Sequence, residues 1–201
     1  MPVPKEEKAR KKKKLIIDAL KRLLDKDVYS RITVQQIAQE SGFSKGGVHH
    51  YFASKEDIYL ELIEEIFTEF VRAHSSILEM ELGAEDVAPI SALVGAENFI
   101  LNKSNIKIII NIILYAFEEE KIMKIVGNYF RMHRNFYDGI ITRLTQEGRS
   151  RRKSDLPPKY LSRIAQTVVL FIGLVESIDP SEPTEMDYIE IVKFVTSLLK
   201  G

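Results

Sequence analysis

The stretch Thr33–Lys55, TVQQIAQESGFSKGGVHHYFASK, limits the fold of this chain more than any other. Thr33 followed by Gln36 is a capping box, in which the hydroxyl accepts from the third N–H and the amide reaches back. The helix it opens turns Ile37 and Ala38 inward, and the small Ala38 lets a second helix cross closely. Gly42 falls where a tight turn calls for a positive φ that a side chain resists. Ser44 caps a second, short helix whose clearly apolar residue, Val48, returns to the core. What that helix leaves outside, Lys45, Gly46, Gly47, His49 and His50, is poor in apolar anchors and rich in donors. Small residue, turn glycine and buried aliphatic at these spacings predict a DNA-binding helix-turn-helix over about residues 33–52.

The charge pattern supports a polyanion at one end only. Basic and acidic residues balance at 29 each, but residues 1–55 hold 13 Lys/Arg against 6 Asp/Glu. The remainder is correspondingly acidic. The KARKKKK run within residues 1–14 reads either as a solvated helix start or as an arm laid along phosphates. No cysteine is present, which excludes disulfides and thiol sensing. No uninterrupted apolar segment follows the charged N-terminus, and Ile106–Phe117 is too short and polar to span a bilayer. The expectation is a cytoplasmic protein with no membrane partner.

Helical periodicity runs through the rest of the chain. Ile16, Ala19, Leu20, Leu23 and Leu24 mark one face of a first helix ending near Asp25. Ser54 with Asp57 forms a second capping box, opening a long helix to about Met80 with Tyr59, Leu62, Ile63, Ile66 and Phe70 inward. Glu61, Glu65 and Glu69 then line another face, read as solvated. A loop precedes Pro89, which suits the first turn of a helix over about 89–102. Helices over about 105–118 and 119–146 follow, then a basic loop. Asp155 and Thr184 are expected to cap the last two helices, near Pro157–Asp179 and 184–199. The prediction is an all-α chain of about nine helices. The two last helices are so apolar that they either lie inside a core or pair with a copy of themselves.

The residues SKGGVHHYFASKEDIYLELI resemble the signature of the TetR (tetracycline-repressor-like) family, and the resemblance runs from about Leu15 to Ile63. It implies a three-helix DNA-binding domain, residues 1–55, followed by a larger helical effector-binding and dimerisation domain, residues 56–201. It also implies a homodimer on a palindromic double-stranded operator, released when a ligand enters the second domain. The dimer seam would take Leu161, Ile164, Val168, Phe171, Ile172 and Val175 from one helix and Ile191, Val192, Val195, Leu198 and Leu199 from the next. Thr33 and Lys55 match family positions that touch phosphate. The family usually has Thr where Gly47 stands and Tyr where His49 stands, so its base-contact rules do not carry over.

The expected DNA set is therefore Gln35, Lys45, Gly46 and Gly47 at bases, Thr33, His49, His50, Tyr51 and Lys55 at the backbone, and Ser44 at the cap between them. Neighbouring His49 and His50 point about 100° apart on a helix and are poorly set to chelate one metal. Candidate liners of an effector pocket are the polar residues set in apolar helices: Asn98, Asn102, Asn111, Tyr115, His133, Tyr137 and Glu176. Their aliphatic and aromatic neighbours favour a small hydrophobic effector. No glycine-rich phosphate loop, no Gly-x-Ser-x-Gly turn and only four histidines argue against an enzyme, a cofactor or a metal site. The alternative is an architectural DNA-binding protein without an effector.

Overall fold

The computed structural model describes residues 5–80, 82–98, 102–146, 156–179 and 185–200. Among them the chain is all-helical, with nine α-helices and one short 3₁₀ turn. The described residues up to Phe67, together with Ile108–Ile122, form one compact unit; Thr68–Lys107 and the residues from Met123 onward form a second.

In the first unit, α1 (Lys5–Leu24) buries Ile16, Ile17, Ala19, Leu20 and Leu24, the stripe its periodicity predicts. The 3₁₀ turn Tyr29–Arg31 leads to α2 (Val34–Ser41), and α1 packs on α2. α3 (Lys45–His49) packs on α2 in turn, and α4 (Lys55–Glu79) follows. The capping box at the start of α4 is present: Ser54 N–H donates to Asp57 Oδ2 at 2.9 Å and Asp57 N–H to Ser54 Oγ at 3.1 Å. Ile58, Tyr59, Leu62, Ile63, Ile66 and Phe67 form its buried face.

The second unit holds the later part of α4, then α5 (Ala84–Ala96), the start of α6 (Lys103–Glu118), most of α7 (Glu120–Gln146), α8 (Pro158–Ile178) and α9 (Glu185–Lys200). α5 packs on α8 and α9, and α8 on α9. α5 starts five residues earlier than its proline suggests, because the N–H groups of Asp86 and Val87 already bond back to the Gly83 carbonyl. Pro89 therefore stands inside the helix, in its second turn. The expected caps Asp155 and Thr184, and the basic loop at 147–155, lie outside the described residues. α8 is long and apolar enough to cross a membrane by length and composition. Its apolar surface is divided, however: Leu161, Ala165 and Val169 face the interior, whereas Phe171, Val175 and Ile178 are exposed.

Candidate nucleic-acid interface

The local chemistry of α2 and α3 fixes how the second helix is presented. Gln36 N–H donates to Thr33 Oγ1 at 3.2 Å and Thr33 N–H to Gln36 Oε1 at 2.8 Å, so both halves of the capping box are made. α2 ends on Gly42 at φ +74°, where Phe43 N–H reaches the Ala38 carbonyl at 2.9 Å and Gly42 N–H the Gln39 carbonyl at 3.3 Å. That is a Schellman closure, and a side chain at its left-handed position would be strained. Ser44 Oγ then accepts from Gly47 N–H at 3.0 Å to start α3. Ile37, Ala38 and Val48 are buried, so the pair is anchored from beneath.

The outer face follows from that anchoring. Gln35, Lys45, Gly46, His49 and His50 are exposed, and Gly47 and Tyr51 partly so. A Cβ on Gly46 would meet nothing, which leaves open space above the backbone. A Cβ on Gly47 would stand 3.2 Å from Ser44 Oγ, so that glycine favours the cap as well as any approach to a base. Tyr51 is steadied edge-on by Phe43 at 6.1 Å and His50 at 4.9 Å.

Lys55 is placed differently from its expected role. Its ammonium donates to the carbonyls of Tyr29 at 3.0 Å and Ile32 at 2.9 Å and sits 4.1 Å over the Tyr29 ring. Partial burial also lowers its pKa. Held there, it ties the start of α4 to the turn that precedes Thr33. Two lysines of the N-terminal run are likewise committed: Lys13 pairs with Glu61 at 2.8 Å and Lys14 with Glu65 at 2.5 Å. The Glu61–Glu65 stripe is thus a docking face for α1, not merely a solvated one. Lys12 and Arg10 are exposed.

Asn111 and Tyr115, expected in an effector pocket, belong to the first unit, where both line a cavity with Val28, Ser30, Leu114 and Phe117. Asn111 is buried; its Oδ1 accepts from Tyr29 N–H at 3.1 Å, and its amide donates to the Leu24 carbonyl at 3.5 Å. Tyr115 joins Tyr29 and Tyr59 in an aromatic cluster, with Tyr29 and Tyr59 stacked at 4.0 Å. Nothing in the local sequence signals a tie 82 residues long.

The other polar residues divide in two. Asn98, just past the end of α5, donates to the Val94 carbonyl, and Asn102 is an exposed cap for the Asn105 N–H. His133 and Tyr137 are buried, and Glu176 carries a buried carboxylate oxygen. Of the expected dimer residues, Leu161 and Val195 are buried in the protomer's own interior and cannot meet a partner directly. Ile164, Val168, Ile172, Ile191 and Val192 are half-buried, while Phe171 is 60 % and Val175 41 % exposed. The side chains of Leu198 and Leu199 lie outside the described residues. Phe194, at 52 % exposure, is an apolar surface residue that periodicity did not single out.

Comparison with known proteins agrees with this geometry. Residues 16–62 match the family model described as bacterial regulatory proteins, tetR family. The HTH-type transcriptional regulator YfiR of Bacillus subtilis (strain 168) is 34% identical over 70 residues. That match covers 35% of this chain and only 34% of the relative. Among solved structures, a transcriptional regulator FadR from Bacillus subtilis in complex with stearoyl-CoA is similar, with TM-score 0.69 at 21% identity, covering 92% of this chain and 96% of that one. AibR in complex with isovaleryl coenzyme A and operator DNA gives TM-score 0.71 at 14% identity, over 93% and 97% of the two chains. At these identities the structural likeness speaks for the fold.

Proposed function

We propose that this chain, whose residues 16–62 match the family model of bacterial tetR regulatory proteins, is a dimeric repressor, bound to a palindromic operator through α2 and α3 and released by a small hydrophobic effector. The observation that carries the reading is the presentation of α3. Two caps and a left-handed glycine hold it on a buried Val48, and its exposed face is all donors and bare backbone. A helix so held enters a major groove by its N-terminal end, which puts Lys45, Gly46 and Gly47 at base edges with Gln35 beside them. Thr33, Ser44, His49, His50 and Tyr51 face the sugar-phosphate backbone. Lys55 acts from behind, positioning the turn before α2.

One such domain reads a half-site. Two, related by a two-fold axis, read half-sites about 34–36 Å apart or a multiple of that. The exposed part of the α8 and α9 apolar surface, with Phe171, Val175 and Phe194, supports a seam between copies. Residues 1–55 carry the DNA contacts and 56–201 the effector and dimer functions, in a cytoplasmic protein. Acyl thioesters bound in two structural neighbours support an effector with an apolar chain. The effector must bind the DNA-free arrangement better than the bound one, and that difference limits its effect.

Anisotropy titration of a selected operator, with and without stearoyl-CoA or isovaleryl coenzyme A as probes, tests the reading. Two chains per duplex and displacement by an acyl probe are expected. Tight binding that no apolar compound displaces would favour an effector-independent architectural protein.

A further inference from the structure

The second unit buries a polar cluster for which DNA binding has no use. His74 on α4 and His133 on α7 lie with ring centroids 4.9 Å apart, and Phe70, Phe136 and Tyr137 pack around them. Hydrogen bonds fix both tautomers. His74 Nδ1 faces the Phe70 carbonyl at 2.9 Å and must donate, which leaves the lone pair on Nε2. Gln166 Nε2 donates to the Phe130 carbonyl and to His133 Nδ1, both at 3.0 Å, so a neutral His133 carries its proton on Nε2. Burial keeps both imidazoles uncharged and the Tyr137 hydroxyl protonated.

Among the described residues, His74 Nε2, the Tyr137 hydroxyl and Glu176 Oε2 are buried with no hydrogen-bond partner. Native interiors seldom leave such groups unpaired. Beside the Tyr137 hydroxyl stands Gly95 of α5. A Cβ there would lie 3.5 Å from the hydroxyl and 3.4 Å from Val169, so the glycine leaves about a methyl group of room in front of the donor.

We propose that His74 and Tyr137 form the polar anchor of the effector site and select an uncharged hydroxyl or carbonyl on an otherwise apolar molecule. The inference rests on the effector reading above. A carbonyl accepts a hydrogen bond from the Tyr137 hydroxyl; a hydroxyl accepts that bond and donates its own to His74 Nε2. A carboxylate gains no cation from these groups and loses its hydration.

Calorimetric titration of the full chain with decan-1-ol, decan-2-one and decanoate tests this. The alcohol or the ketone binds at least about tenfold more tightly than decanoate, and Tyr137→Phe loses that preference. Decanoate binding as tightly, no binding by any of the three, or a preference kept in the variant overturns the proposal. Nitrogen NMR of the unsubstituted chain reads the same anchor without a mutation: decan-1-ol moves the His74 Nε2 resonance, and an unmoved resonance contradicts it. Titrating the same chain with its selected operator separates the two failures. Operator binding without the preference removes only the anchor, whereas absent operator binding removes the repressor reading.

Discussion

Asn111 Oδ1 accepts the backbone N–H of Tyr29 at 3.1 Å, joining the middle of α6 to the turn before the helix-turn-helix. Both residues are buried, so the bond stands in for water that neither group can reach. Lys55 holds the other side of the same turn through the Tyr29 and Ile32 carbonyls. The position of α2 is thereby tied to α4 and α6, whose chains both continue into the second unit.

Replacing Asn111 by alanine strands the Tyr29 N–H and costs about 1–3 kcal/mol, the usual consequence of a buried unpaired donor. Urea unfolding measures it, with a lowered midpoint and unchanged slope expected. A midpoint within error of the parent would show that the bond contributes nothing.

Acid should weaken the fold through the buried histidines. Burial moves the pKa of His74 below its ordinary 6.5, and that of His133 well below it. As pH falls through 6.5, the unfolded chain takes up protons that the folded chain refuses, so stability is complete above that pH and declines below it. The slope reaches up to about 1.4 kcal/mol per pH unit for each histidine. Urea midpoints measured down the acid limb should fall, and a His74→Gln, His133→Gln double variant should flatten the fall. An equal decline in the variant would assign it to other groups.

The exposed rings on the last two helices should govern assembly. Phe171→Glu places a charge on a surface now 60 % exposed, so the protomer should stay folded while the proposed dimer dissociates. Sedimentation velocity should show the monomer, with helical circular dichroism retained. A variant that remains dimeric would move the seam elsewhere.

Lys45→Ala should cost about 1–3 kcal/mol of operator binding and relax base preference at one position per half-site. Thr33→Ala, by contrast, loses a cap and about 0.5–2 kcal/mol of stability. Comparing the two on matched and mismatched duplexes separates reading from scaffolding. Equal loss on all sequences in Lys45→Ala would refute the base contact.

What the sequence made legible was local. The caps at Thr33, Ser44 and Ser54 and the left-handed Gly42 each depend on residues within about one turn, and all are present. Pro89 misleads because the helix already opens at Gly83, so the proline falls in its second turn and forfeits the bond an N–H there would make to the Glu85 carbonyl. The tie of Asn111 to Tyr29 is not legible, because polarity in an apolar helix says nothing about which distant backbone it serves. Lys13 and Lys14 likewise find Glu61 and Glu65 about fifty residues away, beyond any periodicity. Apolar spacing also cannot tell which residues of α8 and α9 turn inward, so it does not separate the buried Leu161 and Val195 from the exposed Phe171.

Selection of bound duplexes from a randomised pool by the full chain, with the winners titrated at several salt concentrations, tests the operator reading most directly. A palindromic winner is expected, bound by two chains and far more tightly than random DNA, with a salt slope that reports the phosphate contacts. Salt-sensitive binding with no preferred sequence would contradict that reading.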